Sequence, residues 1–122
     1  MVIKRFEDIL AWQKSKELSI SIYKLFKDSK DYAFKDQIQR ASISVMNNIS
    51  EGFDAKSNNE FIRFLTYSRR SCSEVQNCLY IALDQGCILA EEFSTTYDLC
   101  KKIRKIIDGL IRYLRNHKMM KS

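Results

Sequence analysis

Apolar residues recur along this chain at intervals of three and four, the spacing that lines one side of an α-helix, in four successive stretches. In the first, about residues 8–28, Ala11, Leu18, Ile22 and Leu25 share a face. Trp12, Ser19, Tyr23 and Phe26 flank it, and Asp8 is placed to cap the start. The second, about 34–51, turns Phe34, Ile38, Ala41, Val45 and Ile49 inward. It ends at Gly52, where a left-handed residue would close the helix. The third, about 58–85, opens on Ser57-Asn58-Asn59-Glu60, a capping box in which serine and glutamate each satisfy a free backbone N–H. Phe61, Phe64, Leu65, Ser68, Cys72, Val75, Leu79, Ala82 and Leu83 follow on one arc, and Gly86 terminates it. The fourth, about 91–116, begins at Glu91-Glu92, acids suited to the positive end of a helix.

Connections of five or six residues force consecutive helices to run antiparallel, which predicts an all-α, up-down-up-down four-helix bundle. Composition agrees: proline is absent and there are three glycines, too few for a protein built of strands and turns. The 122 residues make one domain, 1–122, because two separate cores would each be too small to be stable. Residues 1–7 and 117–122 are expected to be loose ends. The first twenty residues are too charged for a signal peptide, and no uncharged run reaches the roughly 20 residues needed to cross a bilayer. A cytoplasmic protein with no membrane role is expected.

Charge changes the picture. The net charge of +6 is uneven: residues 51–100 carry four basic and eight acidic side chains, residues 101–122 eight and one. On the fourth helix Leu99, Ile103, Ile106, Ile107, Leu110, Ile111, Tyr113 and Leu114 take one side. Lys101, Lys102, Arg104, Lys105, Arg112 and Arg115 take the other, interrupted only by Asp108. A face of nearly one sign repels itself and concentrates polyanions. A nucleic-acid footprint and a plain solvated face fit this pattern equally well; an acidic protein surface or membrane headgroups fit it less well. No ribonucleoprotein-type aromatic motif, zinc finger or GxxG loop accompanies it, so contact would be with phosphates and strongly salt-dependent.

The second helix bears a polar stripe, Gln37, Arg40, Ser44, Asn47, Asn48 and Glu51, beside its apolar face, with small Ala41, Ser42 and Ser44 between. Polar groups caught where helices approach closely must find partners. Gln37, Arg40, Ser44, Asn48 and Glu51 are therefore expected to form a buried network fixing helix register, ahead of a ligand site or simple exposure.

This stripe lies in the run Gln37-Ile38-Gln39-Arg40-Ala41-Ser42-Ile43-Ser44-Val45-Met46-Asn47-Asn48-Ile49-Ser50-Glu51-Gly52, which resembles the QxxRAxxSxxxNIxEG block of the 23S rRNA-intervening-sequence proteins. Phe6-Glu7-Asp8-Ile9-Leu10-Ala11-Trp12-Gln13 and Ile22-Tyr23 resemble the family's FxDLxAWQ and IY elements. Glu60-Phe61, Phe64-Leu65, Ser71 and Glu74 fit its third helix, although Arg70-Ser71 stands where Gly-Ser is usual. The resemblance covers nearly the whole chain. It implies a bacterial four-helix protomer, a homopentameric ring, and kinship with the accessory protein of diversity-generating retroelements, a basic pentamer working with a reverse transcriptase and nucleic acid. Apolar surface beyond the core's needs, near Trp12 and Tyr23, fits such self-association.

Other chemistry is sparse. Cys72, Cys78, Cys87 and Cys100 include no CxxC pair and His117 is the single histidine, so no metal or cofactor is expected and the thiols read as reduced core residues. Arg112 and His117 have a spacing that resembles the Rx4–6H motif of HEPN-type ribonucleases, but a basic helix meets that spacing by chance and no second catalytic group accompanies it. No small-molecule substrate is expected. The expected function is non-enzymatic: an oligomeric bundle binding nucleic acid, RNA first, through the last helix. The alternative is a protein–protein scaffold with no nucleic-acid role; a ribonuclease is the remote third.

Overall fold

The computed structural model of the chain describes residues 2–117 and 120–121. Its helices are α1 (Leu10–Leu25), α2 (Tyr32–Phe53), α3 (Asn58–Asp84) and α4 (Ala90–Asn116). Side-chain contacts run in opposite directions along each successive pair. Phe26 meets Phe34 while Ser19 reaches Met46. Ser68 donates to the Val45 carbonyl while Gly52 lies against Phe61. Asn58 reaches Leu114 while Gln76 meets Arg104. The bundle is therefore up-down-up-down, as the short connections require.

One continuous apolar cluster runs through it, with Leu18, Ile22, Ile38, Val45, Ile49, Leu65, Leu79, Ile103 and Ile107 wholly buried. The helical periodicity picked out these positions. Buried serines between them are satisfied by backbone carbonyls: Ser15 donates to Ala11 at 2.7 Å and Ser68 to Val45 at 2.6 Å, the second tying α3 to α2. Among the described residues no helix is long and apolar enough to cross a membrane.

Several local expectations are corrected. Leu25 is half-buried, and the side chain buried at the end of α1 is that of Phe26, the C-cap residue, which packs edge-on against Phe34. Asp8 does not cap α1. It lies in a 3-10 turn, Phe6–Asp8, and Ile9 occupies the cap position without a side-chain bond. Helix α2 starts earlier than expected because Asp31 accepts from the Phe34 N–H at 3.2 Å.

The two glycines expected to end helices behave differently. Gly86 adopts φ 72° beyond α3, with Gly86 N–H bonded to the Leu83 carbonyl and Cys87 N–H to that of Ala82, a Schellman closure. Gly52 is not a terminator; α2 continues through it to Phe53. A Cβ there would lie 2.8 Å from both Phe61 Cδ1 and Phe64 Cβ, so Gly52 marks a close approach between α2 and α3. The capping box is half-formed: Ser57 Oγ accepts from the Glu60 N–H, but the Glu60 carboxylate pairs with Arg63. Lastly, the ends expected to be loose are partly joined. Strand β1 (Val2–Ile3) pairs in parallel with β2 (Met120–Lys121).

Candidate nucleic-acid interface

Helix α4 is amphipathic along its whole length. Thr96, Cys100, Ile103, Ile107, Ile111 and Leu114 are buried against the bundle, which fixes the rotation of the helix and so the direction of its charged side. Glu91 and Glu92 occupy the first turn, and Glu92 Oε1 accepts the Leu89 N–H at 2.8 Å. The cations run from the middle of the helix to its end, and Arg115, in the last turn, lies at the negative end of the helix dipole, where positive charge is favoured. Asn58, at the start of α3, donates to the carbonyls of Leu114 and His117, satisfying acceptors that the end of α4 leaves free.

Lys101, Lys102, Lys105, Arg112 and Arg115 are exposed, and among the described residues no ion pair engages them. Arg104, expected to share this face, is the exception. It is half-buried in the seam with α3, where its Nη1 donates to Gln76 Oε1 at 3.1 Å. Arg104 lies at the margin of the basic arc, and a buried amide one helix away draws it in. Its Nε and the Gln76 Nε2 are both buried as well, which withdraws Arg104 from the surface. Asp108 also has a different role from the expected interruption. It pairs with Arg69 of α3, and its charge is thereby offset before it can weaken the ridge.

The structure adds charge that the linear sequence conceals. Because α3 and α4 are antiparallel, the first half of α3 runs alongside the C-terminal half of α4, which carries Lys105, Arg112 and Arg115. There, Arg63 and Arg70 are exposed. Counted along the chain, they fall in the acidic central stretch; in space, Asp84, Glu91 and Asp98 lie toward the other end of the α3–α4 side. Only a helix pairing register, which no one-dimensional count contains, could have revealed this.

The polar stripe of α2 is smaller than expected. Ser44 Oγ and Ser71 Oγ are hydrogen-bonded at 2.9 Å across the α2–α3 seam, and Asn48 Nδ2 donates to the Ser44 carbonyl and hydroxyl at 2.8 and 3.0 Å. Gln37, Arg40 and Glu51 are instead exposed, with Arg40 paired to Asp36 one turn earlier, at 2.8 Å. The apolar positions of α2 put Ser44 and Asn48 at the edge of the seam and rotate the other three past it. Ser71 makes the close inter-helix contact. Arg70, in the glycine position of the resemblance, points outward and crowds nothing.

Among the described residues no three potential metal ligands cluster. Cys72, Cys78 and Cys100 are buried and Cys87 is exposed, all as free thiols. Cys72 Sγ donates to the Cys100 carbonyl, and hydrogen bonding with Cys72, together with burial, raises the Cys100 pKa well above the usual thiol range. Burial, with a smaller contribution from Glu74, raises Cys78 as well. These are inert core thiols. His117 is exposed and stacks on Tyr113, ring centroids 4.6 Å apart.

The sequence model of a protein family described as "23S rRNA-intervening sequence protein" matches residues 7–109. A crystal structure of a protein of unknown function from the S23 ribosomal protein family of Bacteroides thetaiotaomicron is similar in fold, with a TM-score of 0.79. It shares 24% identity, and the alignment covers 84% of this chain and 99% of that one. No curated protein matches.

Proposed function

Since the chain belongs to the 23S rRNA-intervening sequence protein family, we propose that it is a non-enzymatic bacterial bundle that binds nucleic acid, RNA in particular, through phosphate contacts from α4. The observation that carries this reading is the ridge of Lys101, Lys102, Lys105, Arg112 and Arg115, exposed and lacking acidic partners among the described residues. Cations already paired within the fold would have little left to offer a phosphate. These five retain their full charge for one, and each phosphate they neutralise releases counterions into solution. The family description, which ties these proteins to intervening sequences of 23S rRNA, favours RNA over DNA. A cytosolic setting, where such RNA is found, belongs to the same reading, as does action without catalysis. His117 is occupied in stacking on Tyr113, which suits the end of a helix better than proton transfer with Arg112.

The test replaces Lys101, Lys105, Arg112 and Arg115 together with glutamine and measures single-stranded RNA binding alongside thermal unfolding. Affinity should fall at least tenfold at low salt while the melting temperature stays within a few degrees, because exposed unpaired charges contribute little to stability. Unchanged binding by a folded variant would refute the site.

A second reading, self-assembly through α1 and α2, has its own support. Ile20 and Tyr23 are exposed and, with Ile43 and Met46, line an apolar groove of about 360 Å³ between the two helices. We place the subunit contacts of a homopentamer on this side, away from the α3–α4 face, so that assembly and nucleic-acid binding are compatible. Light scattering distinguishes a pentamer from the scaffold-free alternative of a stable monomer.

A further inference from the structure

Tyr67 stands on the outer side of α3, 38% exposed, in the half of the helix that lies beside the basic end of α4. Its neighbours one turn away in each direction are arginines. The Arg63 guanidinium lies 6.0 Å from the Tyr67 ring centroid and the Arg70 guanidinium 5.9 Å. Arg63 is also 5.8 Å from the ring of Phe64, which meets Tyr67 edge-on at 6.1 Å. The edge contact and the helix hold the tyrosine ring in place. At about 6 Å both guanidinium groups lie over the ring at the outer limit of a cation–π contact, a weak interaction, so a base stacking there takes the place of one of them. Exposed arginine on both sides of an exposed aromatic ring is the arrangement by which single strands are held without sequence readout: a base stacks on the ring while the cations meet the phosphates on either side of that nucleotide.

We propose that Tyr67, flanked by Arg63 and Arg70, is a stacking platform for one unpaired base of a single-stranded nucleic acid that also engages the α4 cations. This rests on the phosphate-binding reading above and sharpens it, because it makes the ligand a single strand. A duplex has no base free to lie on Tyr67. Arg63 is shared with Glu60, at 2.8 Å, leaving Arg70 as the flanking cation with no acidic partner among the described residues.

The test uses the full chain with two probes of equal length and charge, a 20-nucleotide uridine strand and the corresponding abasic ribose-phosphate strand. The wild type should bind the uridine strand on the order of tenfold more tightly, within the range of one base–aromatic stack. Tyr67→Ala should bring uridine-strand affinity down to the abasic level and leave abasic affinity and its salt dependence unchanged. Tyr67→Phe, which keeps the ring and loses the hydroxyl, should restore the difference. Circular dichroism confirms that each variant is folded. Equal binding of the uridine strand by wild type and Tyr67→Ala would overturn the platform and leave the phosphate reading standing. Failure of the wild type to bind either strand would overturn both. If Tyr67→Ala altered the mass seen by light scattering and left base-dependent binding intact, Tyr67 would be a contact between copies of the chain, and the platform would again be excluded.

Discussion

Glycine substitutions separate packing from propensity in this bundle. Gly52 and Gly109 both lie inside helices, where alanine is intrinsically preferred by roughly 1 kcal/mol. At Gly109 the added methyl would have only Arg112 Nη2 nearby, at 3.8 Å, so Gly109→Ala should stabilise the protein by about 0.5–1 kcal/mol in urea unfolding. At Gly52 the same methyl would meet two phenylalanine atoms at 2.8 Å, one of them a Cβ fixed to its backbone. Gly52→Ala should therefore cost about 1–3 kcal/mol despite the better helix former. Opposite signs for one substitution in two helices would confirm that Gly52 serves a close approach. A stabilised Gly52→Ala would show that α2 and α3 are further apart than a 2.8 Å contact at this position requires. The thiols give a second prediction at this scale. Cys87 alone should react with a maleimide in the native protein at pH 8, and all four cysteines after unfolding. The raised pKa of Cys100 and Cys78 has a stability consequence of definite sign. Their contribution is complete below the ordinary thiol pKa of about 8.5 and is lost as pH rises above it.

The elements were largely legible in the sequence, for a physical reason. A helix on the surface of a bundle must bury one side, so the apolar spacing of α2, α3 and α4 reports both their existence and their inward faces. Ile38, Val45 and Ile49, or Ile103 and Ile107, are where periodicity puts them. What periodicity cannot carry is the register between helices. Gly52 looked like a terminator because its opposing residues, Phe61 and Phe64, belong to the next helix. Arg104 looked like a surface cation because Gln76, which holds it, lies 28 residues earlier. Arg63 and Arg70 were overlooked for the same reason, since only antiparallel packing sets the first half of α3 alongside the C-terminal half of α4. Of the five residues expected in the polar network of α2, two, Ser44 and Asn48, form the seam with Ser71, whereas Gln37, Arg40 and Glu51 lie outside it. Ser44→Ala removes a part-buried bond between α2 and α3, together with the Oγ that Asn48 contacts. It should cost about 1 kcal/mol in urea unfolding. A neutral result would mean that the seam is held by apolar packing alone.

In the whole molecule, two different surfaces lie on different sides. The α1–α2 side offers Ile20, Tyr23, Ile43 and Met46, apolar and suited to a second copy of the chain. The α3–α4 side offers cations, suited to a polyanion. A ring built through the first would repeat the second around its circumference, multiplying a modest phosphate affinity by the number of ridges one strand can reach at once. Ion pairing within the fold does not compete with this, because Asp108 is committed to Arg69 and Glu60 to Arg63. The central claim is that affinity comes from cations on α4 displacing counterions from a phosphate backbone. The most direct measurement is the equilibrium binding of a 20-nucleotide single-stranded RNA across a range of salt concentrations. With four or five phosphates engaged, log K should fall against log salt with a slope of about −3. A slope near zero, or no binding at low salt, would contradict the account.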